Sequence, residues 1–153
     1  EVTDSQEGRE QIQQDLVDTM RAKSGIGLSA NQIGIGARVF TMYADVKKKD
    51  IIVCFNPKII TLSEETVLMD EGCLSYPGLW LKVRRAEGIE VTYENVKGEL
   101  QEKAMFGLEA RVFQHEYDHM EGTNFTKRVS KLKLDLAKKR LKKVRKKLEN
   151  GYQ

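Results

Sequence analysis

Only two histidines occur in the 153 residues, and both fall in His115-Glu116-Tyr117-Asp118-His119. On an α-helix, positions four apart lie one turn apart on one face, so both imidazoles can reach a single ion. The motif therefore demands a helix over this stretch. The glutamate beside the first histidine can address a water on that ion. Two histidines at this spacing, with a glutamate in that slot, arise in roughly one shuffled chain in a thousand. The plain alternative is a polar helix face whose histidines only hydrogen-bond.

A catalytic metal site takes three protein ligands and keeps a position open. With no third histidine, the third ligand must be a thiolate or a carboxylate. Cys73 is the candidate, in Glu71-Gly72-Cys73-Leu74-Ser75-Tyr76-Pro77-Gly78. There Gly72 permits an unusual turn, Pro77 ends the strand, and the segment reads as a rigid presented loop. Asp118 competes, but it projects about 100° around the helix from His119. Cys54 lies in the apolar run Ile51–Phe55 and reads as a buried core thiol. Two cysteines are too few for a disulfide scaffold and suit a reducing, intracellular setting. A Cys-His-His site fits Fe²⁺, Zn²⁺, Ni²⁺ or Co²⁺ without choosing among them.

The length suits one domain spanning residues 1–153. Ile12, Leu16 and Met20, four apart, predict a helix over about Ser5–Lys23, broken by Gly25. Gly25–Gly34 reads as a glycine-punctuated loop, without the spacing of a nucleotide-binding fingerprint. Strands are expected at Arg38–Tyr43, Ile51–Phe55, Ile59–Leu62, Val67–Met69, Leu81–Arg85 and Gly88–Tyr93. A turn at Asn95–Gly98 leads to a return strand from Leu100 to Ala104. Helices follow over about Leu108–Glu121, stopped by Gly122, and Ser130–Asn150, stopped by Gly151. The class is α+β, with antiparallel sheets around the histidine helix, an N-terminal helix and a basic C-terminal helix. No apolar run approaches the ~20 residues of a membrane helix, and no signal-peptide pattern opens the chain.

Charge is unevenly spread. Residues 131–153 hold ten Lys/Arg against two acids, while the other 130 residues hold sixteen against twenty-one. Leu134, Ala137, Leu141, Val144 and Leu148 make a 3-4-3-4 stripe through this basic helix. A helix packed on the body with a solvated basic face is the plain reading; contact with ribosomal RNA is the functional one. Two rival functions stand beside a hydrolase that uses a metal-bound water. An endopeptidase built on the same helix would need a further His or Glu ligand downstream, where only Glu121 and Glu149 remain. A nucleic-acid module with a structural metal would rest on the basic helix alone.

Taken in order, Gly25–Gly34, Glu71–Pro77 and Gln114–Gly122 resemble the peptide deformylase family. Its patterns are a G-x-G-L-A-A-x-Q loop, an E-G-C-L-S segment and a Q-H-E-x-D-H helix. The only departure is Ser29, which stands for the usual alanine and, being small, is expected to matter little. Members also usually open with a strand and a proline-containing stretch before the first helix. The resemblance implies removal of the formyl group from nascent chains that begin with formyl-methionine. It places metal ligands at Cys73, His115 and His119, with Fe²⁺ as the expected native ion, and the general base at Glu116. Gln32 and the Leu74 N–H fall where the family stabilises the oxyanion. Substrate contacts fall on Ile26, Gly27, Met69, Glu71, Gly72, Leu108, Arg111 and Val112. Arg111 is expected to lay its stem over the pocket rim, with its charge in water. No membrane and no specific DNA partner is implied. The setting is a bacterial or phage-infected cytoplasm, with an organelle as the alternative.

Overall fold

The computed structural model describes residues 5–150. Helix α1 spans Gln6–Ala22, with Ser5 as N-cap accepting a hydrogen bond from the Gly8 N–H at 3.0 Å. Ile12, Leu16 and Met20 are its buried stripe. The helix ends before Gly25, and Ser24 takes the left-handed φ of +54°. Gly25 serves close packing instead: a Cβ there would lie 2.7 Å from Leu74 Cδ1.

The stretch expected as a loop is ordered. Strand β1 covers Gly27–Ser29, and a 3₁₀ turn covers Ala30–Ile33. Next come β2 (Val39–Asp45), β3 (Asp50–Leu62), β4 (Thr66–Cys73), β5 (Tyr76–Ala86), β6 (Gly88–Glu94) and β7 (Leu100–Phe106). Five of them form an antiparallel sheet in the order β1-β2-β3-β6-β7, and β4 and β5 form a hairpin sheet of their own. Two expected strands prove to be one: β3 runs through Asn56-Pro57, and its register with β6 shifts between Phe55 and Lys58. Asn56 adopts φ +49°, and Pro57 offers no N–H, so the chain bulges there rather than ending. The Asn95–Gly98 turn is as expected, with Asn95 Oδ1 accepting from the Lys97 and Glu99 N–H groups at 2.9 and 3.0 Å.

Helix α2 (Gly107–Met120) is buried on nearly every side from Ala110 to Glu116. Phe113 meets Phe40 of β2 edge-on at 4.9 Å, within a core that includes Met42, Cys54, Val91 and Tyr93. A helix enclosed all round can carry polar side chains only where partners await them. Gly122 closes it at φ +78°, with its N–H donating to the His119 carbonyl.

Helix α3 (Lys131–Asn150) lies on β5. Leu134, Ala137 and Leu141 join Leu79, Leu81, Val83 and Phe125 in a small core. The expected stripe is only half used, because Val144 and Leu148 are exposed. Gly151, the expected stop, lies outside the described residues.

Candidate metal centre

Cys73 stands at the end of β4, and His115 and His119 stand on α2, so hairpin and helix meet at the site. Cys73 is therefore presented by a strand end rather than a loop, and Pro77 lies inside the start of β5 rather than ending a strand. A proline is tolerated near a strand start on an edge, where no ladder N–H is needed.

One donor atom from each of Cys73, His115 and His119 falls within 4.8 Å of the other two. Cys73 Sγ and His119 Nε2 are 3.2 Å apart. An ion with bonds of about 2.0–2.3 Å holds tetrahedral ligands about 3.5 Å apart, so the three atoms fit one divalent cation. The electrostatics agree. Burial would raise the Cys73 thiol, but hydrogen bonds from His115, His119 and the Ser75 N–H outweigh it and bring the thiol down to about 5. Burial would lower His115, yet Cys73 and Glu71 hold it up at about 10. Thiolate, Glu71 and Glu116 gather negative charge that a proton on His115 partly offsets, and a cation would take that proton's place.

Glu71 orients His115. Its Oε1 lies 2.8 Å from His115 Nδ1, which leaves Nε2 to face the other donors. The same carboxylate accepts from Arg85 Nε and Nη2 at 2.6 and 2.9 Å and from Arg111 Nη1 at 2.5 Å. Burial alone would raise Glu71; His115 and Arg85 overcome it and hold the group at about 2. Arg111 corrects the sequence expectation. It is 5% exposed, and it also donates to the Val83 and Val67 carbonyls. A buried carboxylate on the hairpin draws the guanidinium inward rather than leaving it in water. Asp118 faces away from the donor cluster and is paired with Arg85 and Arg128.

Glu116 is 2% exposed, and its Oε2 has no hydrogen-bond partner. Its Oε1 lies 4.0 Å from His115 Nε2. Burial, with the Cys73 charge added, pushes its carboxyl up to about 7 against the pull of His115, His119 and Arg85. A buried acid left with one oxygen free, beside a cluster of donors, is placed to exchange a proton with something entering the site.

Gln32 is fixed from both ends. Its Oε1 accepts from the Ser29 N–H at 2.9 Å and shares the Ser29 hydroxyl proton, at 2.9 Å, with Asn31 Oδ1 at 2.7 Å; its Nε2 donates to Ser75 Oγ at 2.9 Å and lies 3.6 Å from Cys73 Sγ. Ser29 thus has a consequence, since its hydroxyl meets both Asn31 and Gln32 and an alanine could donate to neither.

A cavity of about 350 Å³ opens beside the donors, lined by Ser24–Gly27, Asp70–Leu74, Trp80, Leu108, Arg111, Val112, His115 and Glu116. It gathers Ile26, Gly27, Glu71, Gly72, Leu108, Arg111 and Val112 but excludes Met69, which is 42% exposed. Two residues back along β4 from Glu71, Met69 sits about 7 Å further out. Gln32 also lies off the lining. Gly27 allows the closest approach: a Cβ there would meet Glu116 Cγ and Val112 Cγ1 at 3.0 Å. Sequence reading missed Trp80. Buried Leu79 and Leu81 flank it in β5, and that alternation aims the chain's one tryptophan at the opposite face.

The family sequence model described as Polypeptide deformylase matches residues 1–135. The chain belongs to the polypeptide deformylase family. It is 39% identical over 140 residues to the peptide deformylase of Thermotoga petrophila, covering 92% of this chain and 84% of that one. It is 38% identical over 136 residues to the chloroplastic/mitochondrial peptide deformylase 1B of Arabidopsis thaliana, covering 88% of this chain and 50% of that one. The crystal structure of a probable peptide deformylase from Synechococcus phage S-SSM7 superposes with a TM-score of 0.77 at 38% identity, covering 82% of this chain and 86% of that one.

Proposed function

We infer that this chain is a metal-dependent amide hydrolase that removes the N-formyl group from polypeptides beginning with formyl-methionine and releases formate. One observation carries the reading: Cys73, His115 and His119 converge within 4.8 Å beside a buried Glu116 with a free oxygen. In this reading residues 1–153 act as one catalytic domain. Cys73, His115 and His119 hold the cation, Fe²⁺ natively, with Zn²⁺, Ni²⁺ or Co²⁺ able to replace it. When bound, the cation polarises the formyl oxygen and makes water in the site more acidic.

The protein's own groups do the rest. Glu116 takes the proton of the attacking water and returns it to the amine as the C–N bond breaks. The Gln32 amide and the Leu74 N–H stabilise the developing oxyanion. Gly27 lets the substrate backbone lie against Glu116, and Ile26, Leu108 and Val112 give the methionine side chain apolar walls. Glu71, clamped by Arg85 and Arg111, keeps His115 in one tautomer. The tightness around Gly27 and Glu116 favours formyl over acetyl. Hydrolysis of formyl-Met-Ala-Ser and not of acetyl-Met-Ala-Ser is the test; equal rates on both would end this reading.

Three further results follow from it. Glu71→Gln should weaken metal binding about 10–100-fold. It should also cost roughly 3 kcal/mol of stability, because buried Arg111 loses the Glu71 charge and Arg85 is left with Asp118 alone. Competition with a chelator and denaturant melts read the two effects separately; unchanged metal affinity would remove Glu71 from the supporting role. Iron-loaded enzyme should lose activity in air, since a thiolate beside a redox-active ion invites oxidation of both. Nickel- or zinc-loaded enzyme should not, and equal decay of iron and nickel enzyme under oxygen would contradict this.

The basic face of α3 is proposed to contact ribosomal RNA, in the cytoplasm of a bacterium or phage-infected cell or inside an organelle. No described helix is long and apolar enough to cross a membrane. Lys139, Lys142, Lys143 and Lys146 are exposed, so changing them to Gln leaves the packed stripe intact. That variant should pellet less with ribosomes and show a shallower salt dependence, with short-peptide kinetics unchanged. Pelleting equal to the unaltered chain would leave α3 as scaffold.

A further inference from the structure

A second depression, of about 640 Å³, runs between β5 and α3 and shares Asp70 and Trp80 with the cavity beside the donors. The Trp80 indole marks the junction. Its ring lies against Gly72, where a Cβ would come within 3.0 Å of it, and its outer side is open, with the residue 63% exposed. On α3, Ala137 is buried against the β5 side, while Leu136 and Val144 line the depression at 49% and 55% exposure. Lys82 pairs with Asp70, the one acid lining the depression, at 3.6 Å, and Lys133 and Arg140 stand beside them. The groove thus has an apolar floor and a net positive rim.

Both walls are held. Leu134, Ala137 and Leu141 fix α3 to Leu79, Leu81 and Phe125, and Arg145 donates to the Pro77 carbonyl at 3.0 Å. A preformed groove spares a ligand the cost of ordering its site.

We propose that this groove binds the stretch of a formylated polypeptide just downstream of its first residues and favours apolar and acidic side chains there. The proposal rests on the deformylation reading of the adjoining cavity. That cavity takes only the first residues of a chain, which continues at about 3.3 Å per residue when extended. Over Trp80, the next surface it meets is the groove. The indole face accepts apolar side chains without regard to sequence. With Lys82 paired to Asp70, Lys133 and Arg140 then select for Asp or Glu over Lys or Arg.

Three substrates test this: formyl-Met-Ala-Ser, a formylated nonapeptide with Leu and Glu at positions five to eight, and the same nonapeptide with Lys for Glu. Because Trp80 is the chain's one tryptophan, its emission reports occupancy without turnover. The Glu nonapeptide should exceed the tripeptide in kcat/KM by about tenfold, through KM, and the Lys version should lose that gain. A Leu136→Gln, Val144→Gln double variant should treat the Glu nonapeptide like the tripeptide while keeping full tripeptide activity. The unformylated Glu nonapeptide should shift Trp80 emission at about tenfold lower concentration in the unaltered chain than in the double variant. Equal kcat/KM for all three peptides, or a double variant that keeps the tenfold preference, overturns the proposal. So does a double variant that changes ribosome pelleting and not peptide KM. If no peptide is hydrolysed but the emission shift appears and depends on Leu136 and Val144, the groove stands and the deformylation reading falls.

Discussion

Glu116→Gln is expected to lower kcat on a formylated tripeptide by about 10²–10⁴-fold, with metal content unchanged. The amide keeps the size of the side chain but cannot accept and return a proton. The pH profile should change with it. Burial first, and then the Cys73 charge, raise the carboxyl to about 7, and a cation in the site draws it down again. In the loaded enzyme, kcat/KM should therefore fall on an acid limb below pH 7, and the Gln variant should lack that limb. Stability carries the opposite sign. In metal-free protein the folded carboxyl titrates at about 7 against an ordinary 4.5. The stability it contributes is complete below pH 4.5 and lost as pH rises through 7. Above pH 7 the metal-free Gln variant should therefore be the more stable protein, by up to about 3 kcal/mol. A Gln variant with near-full turnover would remove Glu116 from the proton transfers.

Cys73→Ala is expected to abolish metal binding and activity together. Losing a ligand should exceed the roughly 10–100-fold cost of losing a supporting residue. Cys54 is the internal control. It is fully buried among Phe40, Met42 and Tyr93, and burial raises its thiol well above the ordinary value. Cys54→Ala should keep metal and activity at a stability cost of about 1 kcal/mol. A thiol reagent should label metal-free native protein at Cys73 alone. Full metal occupancy in Cys73→Ala would sink the ligand assignment.

The donors and the helix that carries them were legible because their chemistry is tied to spacing. Two histidines four apart mean one helix face, and Gly122 marks its end, where the structure has φ +78°. What escaped depends on contacts between segments distant in sequence. Arg111 looks like a rim residue in its own helix; only Glu71, forty positions away in the chain, draws it inside. Ser29 looks like a neutral stand-in for alanine until its hydroxyl is seen between Asn31 and Gln32. Met69 has the right character for a methionine pocket, but the rise of β4 carries it past the wall. The Asn56-Pro57 pair reads as a strand break, yet β6 pairs with β3 both before and after it. In each case tertiary partners override a sound local inference.

The most direct measurement is a titration of metal-free chain with Ni²⁺, recording formate release from formyl-Met-Ala-Ser at each addition. The account predicts a linear rise that stops at one equivalent per chain and is absent in Cys73→Ala. Formate release without added metal, or none at any loading, would contradict it.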